Sequence, residues 1–301
     1  MTHSKDYWNG YVDETNYAGG AGGATYAETE PANTAALTSQ NYPFNEQQDY
    51  PGSEYKQEAV KAPGQGADVV KTFTSGLDIL VGKKVQYIQN ATWIGKAVGY
   101  KDNEGELPVG SWCEVFKDGQ RIRAAYGCYL TNYQLTWDGP SFPKETVDYR
   151  AYNVKSTTEA NFATAKSWDL TAVKIHKDIT LTVDGTTYET KNGTLTIVPK
   201  FIEPDNRQSG AFYHKFPYFT EFETIEVEFG LYAYDSDHFV DLESETVDLF
   251  PVTLAVWGQT LTLSNMKVKN ETLNHRSVPE KGMKLYTGTF EMGGDVNPTL
   301  A

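Results

Sequence analysis

The side chains able to do chemistry are few, and their spacing argues against most reactions. Five histidines, His3, His176, His214, His238 and His275, are scattered with no HxH or HExxH pair to hold zinc or activate a water, so each reads as a surface or loop residue. Cys113 and Cys128 lie too far apart for a CxxC redox pair or a zinc knuckle. They read as two small buried residues on neighbouring strands, with a disulfide as the alternative. Asp235, Asp237, Asp241, Glu243 and Glu245 suggest calcium, but an EF-hand loop needs Gly at its sixth position and Glu at its twelfth, where this chain has Val240 and Thr246. A solvated acidic loop is the reading that remains. The run Gly19-Gly20-Ala21-Gly22-Gly23 lacks both the GxGxxG and the GxxxxGK[ST] phosphate-loop patterns and has linker chemistry instead. The N-x-[ST] sequons at Asn90, Asn192 and Asn270 match chance for this composition. With no nucleophile beside a base, no paired carboxylates in an apolar setting and no metal cluster, the chain is expected to be neither an enzyme nor a cofactor carrier.

The scaffold around these residues is expected to be strands. A chain of 301 residues with 20 Tyr, 14 Phe and 6 Trp can bury a full core, and its aromatic, Thr and Val content favours sheets over helices. The net charge of -14 opposes adhesion to phosphate backbones and anionic membranes. No run approaches the ~20 apolar residues of a membrane span, and the first residues lack the charged and apolar regions of a secretion signal. A soluble, non-secreted protein is the expectation.

The most informative stretch is Tyr126 to Val154. Tyr129, Thr131, Tyr133, Leu135 and Trp137 stand two apart, the spacing of a long strand with one large-residue face. Asp138-Gly139-Pro140 breaks it, and Thr146 to Val154 resumes an extended pattern with Val147, Tyr149, Ala151 and Asn153 on one side, so the two strands should pair. Upstream, near-helical apolar spacing predicts one helix over Lys83 to Val98, stopped by Gly99 and packed on a sheet. Asp118-Gly119, Asp184-Gly185 and Asn192-Gly193 predict type I′ hairpins. From Phe222 to Tyr234 an alternating pattern sets Phe222, Thr224, Glu226 and Glu228 on one face and Glu223, Ile225, Val227 and Phe229 on the other. Strands are also expected at Phe250 to Trp257, Thr260 to Met266 and Leu285 to Met292.

The first 59 residues contain only Val12 and Leu37 among Ile, Leu and Val, so they cannot form a core. They carry Tyr7, Trp8, Tyr11, Tyr17, Tyr26, Tyr42 and Phe44, aromatic residues that solvated tails usually lack. The division expected is an extended arm over 1–68, a β-domain over 69–292 and a short tail over 293–301. The aromatic residues of the arm are expected to contact neighbouring subunits.

Between Val69 and Met292 the order of segments resembles the tail tube proteins of tailed, siphovirus-like phages, in the branch with a long N-terminal region. That order runs from Trp93-Ile94-Gly95-Lys96-Ala97-Val98-Gly99 through the Gly127-Cys128 hairpin and a β-meander to Phe229-Gly230-Leu231-Tyr232 and an acidic stretch. It continues with Leu261-Thr262-Leu263-Ser264-Asn265-Met266, a charged Pro-containing connection and the strand Thr287 to Glu291. The resemblance implies an all-β core of sandwich or barrel type with one flanking helix, and six-subunit rings stacked into the virion conduit for genome DNA. It implies assembly in the host cytoplasm, no catalysis and no membrane. The partners it implies are copies of the same chain, tape measure, terminator and baseplate proteins, and passing duplex DNA that is not specifically bound. Glu226, Glu228, Asp235 and Asp237 are expected to supply negative potential to such a lumen. The alternatives are a distal tail or baseplate ring of the same fold, and a carbohydrate-binding or adhesion β-sandwich.

Overall fold

In the computed structural model, the residues described are 7–14, 27–28, 32–37, 81–87, 92–103, 111–118, 121–138, 143–151, 153–156, 179–202, 217–232, 248–256, 258–274 and 285–301. They form an all-β fold. Its strands are β1 (Tyr7–Asp13), β2 (Ala27–Glu28), β3 (Ala32–Leu37), β4 (Val81–Tyr87), β5 (Trp112–Asp118), β6 (Arg121–Asp138), β7 (Lys144–Arg150) and β8 (Asn153–Ser156). These are followed by β9 (Ile179–Val183), β10 (Thr186–Tyr188), β11 (Thr190–Ile202), β12 (Tyr218–Tyr232), β13 (Phe250–Val256), β14 (Gln259–Asn274), β15 (Leu285–Met292) and β16 (Thr299–Leu300). One helix, α1 (Thr92–Gly99), runs into a 3-10 turn at Tyr100–Asn103. The strands join in one 16-stranded antiparallel network whose main path is β10-β9-β13-β14-β15-β12-β11-β6-β5-β1-β2.

β6 is the strand through which the network passes. Its first half pairs with β5 and β8, and its second half with β7 and β11. The period-two pattern holds from Tyr133 through Leu135 to Trp137, all buried, and Tyr129 is buried too, while Thr131 between them is only half-buried; Val147, Tyr149 and Ala151 are buried as well. A register shift between Leu130 and Asn132 adds Leu130 to the core. The turn at Asp184-Gly185 also forms as expected, with φ of 46° and 79° at the two residues and Val183 opposite Thr186.

Three expectations are corrected. The helix is shorter than Lys83 to Val98, because residues 81–87 are strand β4, held by ladders to β3 on one side and β7 on the other. Only the second half is helical, where Trp93, Ile94, Ala97 and Val98 make one buried face, and Gly99 ends it as expected. Asn192-Gly193 is not a hairpin turn: both residues lie inside β11, between β6 and β12. Phe222 is not on the polar face of β12 and Glu223 is not on the apolar one; register shifts opposite Pro199 and Lys200 bury Phe222 and expose Glu223. Pro199 has no N–H for the ladder, and a bulge is where a sheet tolerates that loss.

Both ends of the chain join the sheet. β1, β2 and β3, all within the expected arm, pair into the sheet of their own chain. The expected tail also folds back: Thr299 and Leu300 pair with β14, Ala301 exchanges backbone hydrogen bonds with Thr260, and Leu300 packs on the core. Asn265, at φ 55°, bends β14 and accepts the Gly293 N–H at 2.8 Å, which starts this return.

Gly193 is glycine because of crowding. It lies between Trp137 of β6 and Phe229 of β12 in one cross-strand row, with Gly288 of β15 beyond Phe229. A Cβ at Gly193 would stand 2.2 Å from Trp137 Cζ2 and 2.7 Å from the Glu228 carbonyl oxygen. Large and small residues alternate along the row, so the indole lies across the glycine. Gly193→Ala is therefore expected to destabilise the fold by about 3 kcal/mol, the upper part of the overpacking range, with a lower urea midpoint at an unchanged m-value.

Candidate functional site

Two places in the structure gather polar side chains with a defined geometry. The first is the solvent face of the long strands β6, β11, β12, β15 and β14. Across it run two rows in register: Thr136, Thr194, Glu228, Thr289 and Asn270, then Gln134, Thr196, Glu226, Glu291 and Lys267. The opposite faces of the same strands carry Leu135, Leu195, Ile197, Val227, Phe229 and Phe290 into the core. Directly opposed like charges destabilise a sheet, and Glu226 faces Glu291. Two lysines of β14 offset this: Lys269 Nζ reaches Glu226 at 2.5 Å and Glu291 at 3.4 Å, and Lys267 reaches Glu291 at 3.3 Å. The hydrogen bond from Lys269 to Glu226, then that carboxylate's charge, then Glu291, hold the Lys269 pKa above its usual value. That contribution is fully present below the unfolded lysine pKa and fades as pH rises through the higher folded value. Glu228 is exposed in a cup with Thr136, Thr194, Thr289 and Asn270. Of the four expected lumen carboxylates, Glu226 and Glu228 share this face, while Asp235 and Asp237 lie outside the described residues.

The second place is the seat of β1. Seven register pairs join β1 to β5, from Tyr7 opposite Asp118 to Asp13 opposite Trp112. Its last residues are fastened by four kinds of contact. The Tyr11 ring lies 5.2 Å from that of Trp93. Lys96 of α1 places Nζ 5.8 Å from the Tyr11 ring centre and 5.6 Å from that of Trp112, and it pairs with Asp13. Glu14 donates its backbone N–H to the Ser111 carbonyl at 3.0 Å. The Glu14 carboxylate accepts the Ser111 hydroxyl at 3.0 Å and the Gly127 N–H at 3.1 and 3.2 Å. Under this seat, Trp112 lies 5.0 Å from Trp93 and 5.5 Å from Tyr149, so the latch rests on the main core.

Of the residues expected to touch neighbouring subunits, Tyr11 lies against Trp93 of α1 in the same chain, on the strand β1 that pairs with β5. Tyr7 and Trp8 lie on the same strand, and Tyr17, Tyr26, Tyr42 and Phe44 lie outside the described residues. The sequence reading missed Glu14, Lys96 and Gly127. The signal for Glu14 was faint: an acid directly after a short alternating stretch that has no core of its own.

Neither place carries reactive groups. Cys113 and Cys128 are free thiols, both fully buried on β5 and β6, as the simpler reading expected. Burial first, then the negative charge of Glu114, keeps the Cys128 thiol well above its usual pKa, and it donates to the Ala125 carbonyl at 3.3 Å. The buried carboxylates Glu114 and Glu145 accept hydrogen bonds from Trp112 Nε1 and the Tyr133 hydroxyl, at 3.0 and 2.8 Å. Among the described residues no group of three or more His, Cys, Asp or Glu could hold a metal ion. Among them, too, no helix is long and apolar enough to cross a membrane. Comparison with known families finds no family model that matches the chain, and comparison with curated proteins finds no match.

Removing the Glu14 carboxylate leaves the Gly127 N–H without the acceptor that replaces its ladder partner. Glu14→Ala is expected to cost about 2 kcal/mol and to speed amide exchange at Gly127, while Glu14→Gln, which keeps an acceptor oxygen, loses less. In the native protein both thiols should resist a disulfide reagent such as 5,5′-dithiobis(2-nitrobenzoate) and react only on unfolding, so fast native labelling would contradict the burial described.

Proposed function

We propose that this chain is a structural subunit of a viral tail tube, assembled in the host cytoplasm and resident in the virion tail. The observation that carries the reading is the broad five-strand face whose Thr, Asn, Gln and Glu rows lie back to back with an apolar core. Such a face is a wall. Thr136, Glu228 and Asn270 are exposed on it, its Glu226 and Glu291 are matched by lysines, and it offers phosphates no basic stripe to bind. A duplex moving along it would keep its counterions and water. The order of segments resembling tail tube proteins supports the same reading. In this reading the core is of sandwich or barrel type, six copies of the chain form a ring, and the rings stack into a conduit. Tape measure, terminator and baseplate proteins would bound its two ends.

The test is direct. Purified protein at high concentration should give rings or tubes in negative-stain images and a mass well above 33.6 kDa in light scattering. A protein that stays monomeric, with no tube containing it in virions or lysates, overturns the reading. Rings that never stack, present in one copy per virion tail, would assign it to the distal end of the tail instead. Within assembled tubes, Glu228→Lys is expected to create salt-sensitive retention of duplex DNA, lost as added salt screens it; DNA binding confined to the outer wall would refute the placement of this face.

A further inference from the structure

We propose that the cup on the polar face is a binding site for a small aliphatic polyamine, a flexible chain with an ammonium group at each end. The cavity measures about 470 Å3, within the size range of small-molecule sites. Register explains its shape. Thr136, Thr194, Glu228 and Thr289 stand opposite one another in one row across β6, β11, β12 and β15. In the row beside it, Asp138 is opposite Asn192 and Asn192 is opposite Gly230, which brings no side chain, so that row is open next to Glu228. Two exposed carboxylates, Asp138 and Glu228, therefore border one cavity from different strands.

Two observations show that the cup holds polar groups the fold itself leaves unused. Glu226 and Glu291 on the same face are paired with Lys267 and Lys269, whereas among the described residues no cation pairs with Asp138 or Glu228, and no Lys or Arg lines the cup. The lysine nearest in register, Lys144 opposite Thr136, lies on the other side of β6 from Thr194. Thr289 is the second observation. It lines the cup at only 8% exposure, and among the described residues its hydroxyl has no hydrogen-bond partner. A polar group so enclosed is costly unless a ligand or water meets it.

The balance of donors and acceptors selects the ligand. A carboxylate only accepts, and Thr hydroxyls and Asn carbonyl oxygens accept as well, whereas a primary ammonium carries three donors and no acceptor. Glu228 has Thr194 and Thr289 as its register neighbours, and Asp138 has Asn192, so each carboxylate stands with neutral oxygens beside it. Asp138 and Glu228 are two strands and two residues apart, about 12 Å between backbones by sheet spacing. One metal ion cannot draw ligands from both, since its oxygens must converge to within about 2.6 Å of it. An anion would be repelled, and no aromatic face opens into the cup for a sugar ring, because Trp137 and Phe229 are 1% and 4% exposed. A chain cationic at both ends meets both carboxylates at once.

Calorimetric titration of the full-length chain at fixed ionic strength, with spermidine, putrescine, butylamine and magnesium chloride in turn, tests the site. Saturable binding of one spermidine per chain is expected. Putrescine should bind about tenfold more tightly than butylamine, which has a single ammonium, and than magnesium, which has the same charge. Asp138→Asn and Glu228→Gln should each weaken spermidine binding about tenfold, and Thr289→Val by less, with far-UV dichroism unchanged. The paired substitution Glu221→Gln and Glu223→Gln removes two exposed carboxylates of β12 that lie outside the cup, and it should leave binding as it was. Heats that never saturate, an equal loss in the Glu221 and Glu223 variant, or magnesium matching putrescine would reduce the effect to screening of the net charge of -14 and overturn the site. The cup belongs to the single chain. Failure to bind polyamine therefore leaves tube formation standing, and a chain that binds polyamine but stays monomeric overturns the tube reading alone.

Discussion

A single backbone conformation in the middle of β6 governs how this sheet is built. Gly127 holds φ at 62°, a left-handed value inside an 18-residue strand, and there β6 changes partners from β5 and β8 to β7 and β11. A residue with a side chain would be strained in that conformation. The bend also turns the Gly127 N–H out of the ladder, and a buried N–H without an acceptor costs about 1–3 kcal/mol. Glu14 accepts it from a segment more than a hundred residues away in the chain. The bend in the central strand and the docking of the N-terminal strand are thus one arrangement: the first creates an orphan donor, and the second satisfies it.

The aromatic residues around that bend explain why a segment poor in aliphatic side chains can be held at all. Tyr11 adds one more ring to a chain of contacts that already runs through Trp93, Trp112 and Tyr149. Lys96 completes it, since its side chain is only 9% exposed and a lysine so enclosed needs both an aromatic surround and the Asp13 carboxylate. At the other end of α1, the Tyr100 hydroxyl accepts the Leu130 N–H at 2.8 Å, and burial pushes its own pKa well up, so it remains a neutral phenol at physiological pH. The helix is short, but both of its ends are tied to β6 or its neighbours by aromatic side chains that carry a polar or cationic partner.

Much of the fold was legible because its signals are local. The alternation of Tyr133 through Trp137 and the Asp184-Gly185 turn depend on residues within a few positions of each other, and both appear where expected. The failures have a common cause: they turn on a partner distant in sequence. Asn192-Gly193 has the composition of a turn, yet Gly193 is small because Trp137 lies over it. Val81 to Tyr87 has helical spacing of apolar residues, yet two flanking strands claim its backbone. Phe222 shifts faces because Pro199 on the next strand forces a bulge. At the candidate site the polar alternation of Glu226 and Glu228 was readable, but their neutralising lysines come from β14, some forty residues on, and no pattern within β12 announces them.

The edges of the described network differ in length, and that bears on how open the sheet is to further strands. Its path begins at β10, three residues long, and ends at β2, two residues long. Strands that short offer a neighbour few unpaired backbone groups, which is how natural sheets avoid indiscriminate edge-to-edge growth. The long strands, by contrast, lie in the interior of the path, with β11 and β12 paired to each other and to further strands on their outer sides. The longer edge is β3, six residues that pair on one side with β4 alone. Within the described network, the seat of β1 on the β5 edge brings backbone pairing, an ion pair, aromatic packing and a carboxylate acceptor for a backbone N–H together in one place, so the edge that β1 covers is closed by side chains as well as by its ladder.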